Sequence, residues 1–190
     1  MPRSGDVAAR FGRAPPSSTP PPSPDPELRP VSPPSVRFRC RAFEDLWVRE
    51  MHDLYQLRNE VFIVEQNCPY QDIDGLDPHA LHLLGLGEGT SGDPMLICYA
   101  RLLPMGTSYP EHAAIGRVIT KQTVRGTGLG HVLMREAMRI VDAEWDTPPL
   151  RLGAQDYAIP FYEALGFQSI GEHYLEDGIP HTTMERVRTG

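Results

Sequence analysis

The stretch Ala113-Ala-Ile-Gly-Arg-Val-Ile-Thr-Lys-Gln-Thr-Val-Arg-Gly-Thr-Gly-Leu-Gly-His131 decides how the chain is read. Its first eight residues have the length and apolar content of a strand. Arg125-Gly-Thr-Gly-Leu-Gly130 then brings three alternating glycines, whose missing Cβ lets the backbone come close to a ligand. A helix is predicted after Gly128, with Leu129, Val132, Leu133, Ala137, Met138 and Val141 on its apolar side. A helix start presents N–H groups and the positive end of its dipole. An anion, most simply a pyrophosphate, is therefore expected there, with Arg125 and Lys121 adding positive charge. A Walker loop needs Gly-Lys-Ser/Thr, and here His131 follows Gly130. A dinucleotide fingerprint beginning at Gly126 and Gly128 needs its third glycine where His131 stands, and it belongs to an opening βαβ unit. The plain alternative is a tight turn with glycines at a helix start.

Outward from this loop, the pattern predicts the remaining elements. Val36-Arg-Phe-Arg-Cys-Arg-Ala-Phe43 alternates like a half-buried strand. Asp45 is placed to cap a helix over 46–65, with Leu54, Leu57, Val61 and Val64 on one stripe. Residues 67–78 form a loop rich in turn formers. Strands are expected over 80–86 and 94–103, joined by a turn at 88–93. Downstream come a short strand over 150–154, a helix over 159–165 stopped by Gly166, and strands over 167–175 and 181–187. The order βα, βββ, α, β, α, ββ predicts an α/β (α+β) fold: one mixed, mostly antiparallel sheet flanked by helices.

Composition bounds the rest. Of the twenty prolines in 190 residues, eleven lie in the first 35. Residues 1–35 are expected to be a disordered, proline-rich leader, and 36–190 a single domain large enough to fold without staples. Pro21-x-x-Pro24 and Pro30-x-x-Pro33 have polyproline-ligand spacing, which any such leader contains, so a passive tail is expected. The longest apolar run, residues 95–100, is too short to span a bilayer. No apolar segment near the start resembles a secretory signal. Cys40, Cys68 and Cys98 make no disulfide framework and no zinc motif, so no metal is expected and a reducing cytoplasm is the simplest setting. A net charge of −7 argues against a nucleic-acid partner.

With these residues in place, the sequence resembles the GNAT superfamily of N-acetyltransferases. The superfamily's strand, Arg/Gln-x-x-Gly-x-Gly/Ala loop and helix correspond to Gly116-Arg-Val-Ile-Thr120 followed by Arg125, Gly128 and Gly130. Its second motif corresponds to Gln155-x-x-Ala158-x-x-x-Tyr162-Glu163-x-x-Gly166-Phe167, with Gln155 where Asn is usual. Arg58-Asn-Glu-Val-Phe-Ile-Val-Glu-Gln-Asn-Cys-Pro-Tyr-Gln-Asp-Ile-Asp74, with Asp77 and Glu176-Asp-Gly-Ile-Pro-His181, is similar to the ElaA branch.

The resemblance implies acetyl transfer from acetyl-CoA to an amine-bearing acceptor, a small molecule or a protein, by direct attack in a ternary complex. It implies that Val118, Ile119 and Thr120 offer backbone groups to pantetheine and the thioester, and that Arg125, Gly126, Thr127, Gly128, Leu129, Gly130 and His131 wrap the pyrophosphate. Gln155 sits at a polar cofactor contact. Tyr162 matches the tyrosine that protonates the departing thiolate; read plainly, it is a core aromatic beside Phe161 and Phe167. Glu65 is the first choice of base, a solvated helix-end carboxylate being the plain reading, with His82 and His112 as alternatives. Asp72, Asp74 and Asp77, with Arg58 and Arg101 near the same mouth, are read as a site for a cationic acceptor. Turn-capping is the other reading, and a calcium loop lacks its bidentate twelfth ligand. Dimers are common in the superfamily, so a homodimer is compatible with the reading, though no stretch marks an interface.

Two other functions stay open. Arg58-x-x-x-Phe62, the Asp-x-Asp loop and Ala100-Arg-Leu-Leu-Pro104 also resemble acyl-homoserine-lactone synthases, which use carrier-protein donors and lack a good glycine loop. A non-catalytic CoA-binding sensor would have a decayed acid or thioester strand, and both are intact here.

Overall fold

The computed structural model describes residues 32–89 and 92–187. Most of the expected leader lies outside them. Strand β1 (Arg37–Ala42) leads through a 3-10 turn (Phe43–Asp45) to α1 (Val48–Arg58). The helix continues directly as a π-wound segment, Asn59–Glu65. Then come β2 (Leu81–Glu88), β3 (Pro94–Leu103), β4 (Ala113–Thr120) and α2 (Leu129–Trp145). The chain closes with β5 (Leu150–Gln155), α3 (Ile159–Glu163), β6 (Phe167–Glu176) and β7 (Ile179–Arg186). The seven strands form one sheet in the order β1-β2-β3-β4-β5-β7-β6. Every neighbouring pair is antiparallel except β4 and β5.

Alternation along β2 and β3 sends side chains to two cores. Leu83, Cys98, Ala100 and Leu102 pack with Leu133, Met134, Ala137 and Val141 of α2. Leu84, Leu96 and Tyr99 pack with Leu54 and Leu57 of α1. Covered on both faces, β3 is buried almost throughout, as its continuous apolar run requires. Each leucine so buried stabilises the fold by about 1.5–3 kcal/mol.

Two local expectations need correction. Asp45 ends the 3-10 turn and caps nothing; α1 starts after Trp47, whose backbone N–H donates to Glu50 Oε2 at 3.1 Å. That carboxylate also ties down β1, accepting from Arg39 Nη1 at 3.1 Å. Val64 leaves the apolar stripe and is 69% exposed, because the wider π turn rotates it away from Leu54, Leu57 and Val61. On α2 the expected apolar side is found, Val132 and Met138 packing against the core, and Met134 and Ile140 add to its buried face.

Two features shape the functional end. Strands β4 and β5 pair only at Ala113↔Leu150 and Ala114↔Arg151, then separate. On its other edge, β4 pairs with β3 through a bulge. Arg101 faces Gly116 and Tyr99 faces Ile119, leaving Arg117 and Val118 opposite Ala100. Arg117 takes a left-handed conformation there, with φ 51°.

Candidate active site

Past Ala114, the divergence of β4 and β5 opens a cleft of about 530 Å³. Gly116 through Thr120 form one wall and Leu152, Gly153 and Gln155 the other. The side chain of Ile119 goes into the α1 core, so this strand offers the cleft mainly its backbone edge. At one end lies the glycine loop. Gly126 and Gly128 have φ of 75° and 85°, values that only glycine adopts without strain. The Thr127 hydroxyl donates to the Val124 carbonyl at 2.7 Å. Leu129 anchors the start of α2 in the core, and the His131 ring meets Phe161 edge-on at 4.7 Å. The N–H groups of Leu129 and Gly130 are thus held at the loop, while those of His131 and Val132 donate to the Gly128 carbonyl at 3.1 and 3.3 Å.

Arg125 joins the two sides of this end. Its Nε donates to the Thr120 carbonyl at 3.1 Å, and its guanidinium grips Glu65 with both terminal nitrogens, Nη2 to Oε2 at 2.9 Å. That grip holds the Glu65 carboxyl below the usual range, which makes it a weaker base. Lys121, expected to add charge at the loop, instead directs Nζ toward Met95 Sδ at 3.9 Å. Deeper in the cleft stands Tyr162, its ring edge-on to Phe161 and Phe167. Burial pushes its hydroxyl well above the ordinary tyrosine range. Among the described residues no hydrogen bond engages that hydroxyl, so its proton is available to a ligand. Gln155 pairs with Gln66 across the cleft, amide to amide, at 3.4–3.5 Å.

The acidic loop is built differently from the expected cation site. Arg58 is fully buried; its Nε donates to Asp72 at 2.8 Å and its Nη1 to Asp77 at 2.8 Å. Arg101 donates to Asp74 at 2.7 and 2.6 Å and to Asp77 at 2.9 Å. Arg117 donates to Asp72 at 2.7 Å and to Asp74 at 3.2 Å. Three arginines thus neutralise three aspartates. Of the five residues expected to meet the acceptor, only Asp74 and Arg101 line the cleft; Arg58, Asp72 and Asp77 stand behind it. Burial works against the Asp74 carboxylate, but hydrogen bonds from Arg101 and the Leu76 N–H, with the charges of Arg101 and Arg117, outweigh it and set the pKa at about 2. His82 is a strut of this wall, its Nδ1 on the Tyr99 hydroxyl at 2.9 Å and its Nε2 on the Asp77 carbonyl at 3.0 Å. Burial favours its neutral form. His112 lies 3.3 Å from Glu185. Neither histidine lines the cleft.

Sequence reading missed Arg117, Gln66 and the contribution of β6 and β7. The turn between those strands brings Tyr174, Glu176 and His181 to the cleft. A charged residue inside the apolar stretch of β4 was the available sign for Arg117; the bulge that aims it leaves none.

Comparisons with known proteins agree with this geometry. Residues 95–188 match the family model for the acetyltransferase (GNAT) domain. Protein ElaA of Escherichia coli is 42% identical over 144 residues, covering 75% of this chain and 90% of ElaA. A UPF0039 protein of Synechocystis is 36% identical over 149 residues, covering 78% of this chain and 94% of its own. The crystal structure of an acyl-CoA N-acyltransferase from Pseudomonas aeruginosa superposes with a TM-score of 0.73 at 39% identity, over 80% of this chain and 100% of that one. A sheet that parts beside a glycine loop, in a chain with these relatives, places the protein in the GNAT acyl-CoA N-acyltransferase family, in the branch that holds ElaA and the UPF0039 proteins.

Proposed function

We propose that the protein transfers an acetyl group from acetyl-CoA to a primary amine, by direct attack within a ternary complex. The observation that carries this reading is the parting of β4 from β5 after Ala114, with the glycine loop at one end of the gap and an unbonded Tyr162 hydroxyl inside it. A pantetheine arm is a chain of amides, and the free edge of β4 at Val118, Ile119 and Thr120 offers it strand-like partners. An N–H on that edge would also hold the thioester oxygen as charge develops on it. Gln155 would meet the arm from β5. Residues 125–131 would take the pyrophosphate, with Arg125 leaving Glu65 to do so. Tyr162 would protonate the departing thiolate. Asp74 and Arg101 would face the acceptor, held in place by Arg58, Asp72 and Asp77 behind them.

Calorimetric titration with acetyl-CoA, CoA and NAD tests the donor. Binding of both CoA species and not of NAD is expected, followed by CoA release when amines are added. Failure to bind either CoA species would overturn the reading and bring carrier-protein esters forward as donors.

A further inference from the structure

The proposed reaction needs a group that takes a proton from the attacking ammonium, and Glu65 is poorly placed for it. Without ligand both its oxygens are held by Arg125, and once a pyrophosphate draws Arg125 away it is left as an exposed carboxylate at the glycine-loop end of the cleft. Another side chain in the same cleft meets the requirement. His181 on β7 is 9% exposed and lines the cleft with Tyr162. Its Nδ1 lies 2.8 Å from the Ile179 carbonyl oxygen. A carbonyl only accepts, so Nδ1 carries the proton, and in the neutral ring Nε2 is left with a bare lone pair. Among the described residues no hydrogen bond engages Nε2; its nearest charged neighbour is Glu176 Oε2 at 3.9 Å. The ring is fixed in orientation by stacking on Tyr174, with centroids 5.5 Å apart and planes 21° apart. Cross-strand register puts Gln155, His181 and Tyr174 side by side on one face of β5, β7 and β6.

We propose that His181 is the general base. This rests on the acetyl-transfer reading above. Neutral Nε2, directly or through one water, takes a proton from the acceptor's ammonium and frees its lone pair. The amine nitrogen attacks the acetyl carbon; the C–N bond forms and the C–S bond breaks. The sulfur leaves with the Tyr162 hydroxyl proton, and the second proton from nitrogen returns through water to the tyrosine oxygen. His181 then releases its proton to solvent. The sum is ammonium plus thioester giving amide, thiol and one proton. Lining the cleft with the ring are Tyr174 and Glu176 of β6, Asp177 of the turn, Tyr157 and Tyr162 beside β5, Cys68 and Tyr70 of the acidic loop, Tyr109, Arg117 of β4, and the Glu65–Arg125 and Asp74–Arg101 pairs.

The test has two arms. In long-range proton–nitrogen correlation spectra of the full chain bound to acetyl-CoA, the neutral ring of His181 is expected to carry its proton on Nδ1. A proton on Nε2 in the neutral ring would overturn the proposal. The second arm is His181→Asn, whose amide nitrogen can still donate to the Ile179 carbonyl. Two probe acceptors are used: benzylamine, an ammonium at neutral pH, and trifluoroethylamine, already a free amine. Transfer to benzylamine should fall by about 100-fold or more and lose the acid limb of its pH profile. Transfer to trifluoroethylamine and binding of acetyl-CoA should change little. Equal losses with both amines, or none with either, would overturn it. If the native protein transfers to neither amine, the acetyl-transfer reading is what fails, and the ring tautomer still decides whether His181 has the form of a base.

Discussion

At the scale of single residues, the cleft contains groups whose environments push them apart. Tyr162 keeps its proton because burial disfavours the phenolate, so Tyr162→Phe should lower transfer by about 10²-fold while leaving the Kd for acetyl-CoA unchanged. Thiol release and calorimetry on the same preparation separate the two. Glu65 competes with a pyrophosphate for Arg125. A half-exposed ion pair of this kind contributes about 0.2–1 kcal/mol, so Glu65→Gln should tighten acetyl-CoA binding by no more than about fivefold, and weaker binding would refute the competition. Behind the wall, Asp77 is the one of the three aspartates that contacts both Arg58 and Arg101. Asp77→Asn leaves two buried guanidinium groups short of charge, at about 3–5 kcal/mol in urea denaturation. The same cluster fixes an acid dependence. The Asp74 carboxyl lies at about 2 in the folded protein against 3.8 as its ordinary value, and Asp77 is lowered in the same direction. Their stabilisation is complete above the ordinary value and is lost as pH falls through the interval down to about 2, which a melting series across that window should show.

At the scale of elements, the π-wound segment distinguishes what the sequence showed from what it hid. The spacing of Leu54, Leu57 and Val61 identified the buried stripe correctly. Extending the same period to Val64 failed, because periodicity assumes one pitch and the backbone widens to a π turn over Asn59–Glu65. Leu54→Ala should therefore cost about 2–5 kcal/mol and Val64→Ala no more than about 0.5 kcal/mol in either direction; equal costs would mean an unbroken α-helix. The glycine loop and α2 were legible because their φ and burial demands are local. The ion cluster was half legible. Its aspartates and two of its arginines stood out, but the sign of their purpose depended on Arg117. That residue reaches them through a bulge, a property of pairing between strands that no single strand spells out.

At the scale of the whole molecule, element order announced one mixed, mostly antiparallel sheet, but not the strand order, in which β7 lies between β5 and β6. The joint between β4 and β5 rests on two residue pairs. A ligand that bridges the gap should stabilise the whole fold, by about 2.7 kcal/mol at a hundredfold excess over Kd. It should also slow hydrogen exchange at the cleft-facing amides of residues 116–120, the loss of which pattern would place acetyl-CoA elsewhere. The bulge at Arg117 has a bearing on how lengths can vary in this branch. Strand faces alternate with a period of two, so removing one residue between Ala114 and Thr120 would invert either the half of β4 seated on the joint or the half that edges the cleft. Insertions and deletions should therefore collect in connections such as 104–112, while this seven-residue interval keeps a constant count from relative to relative.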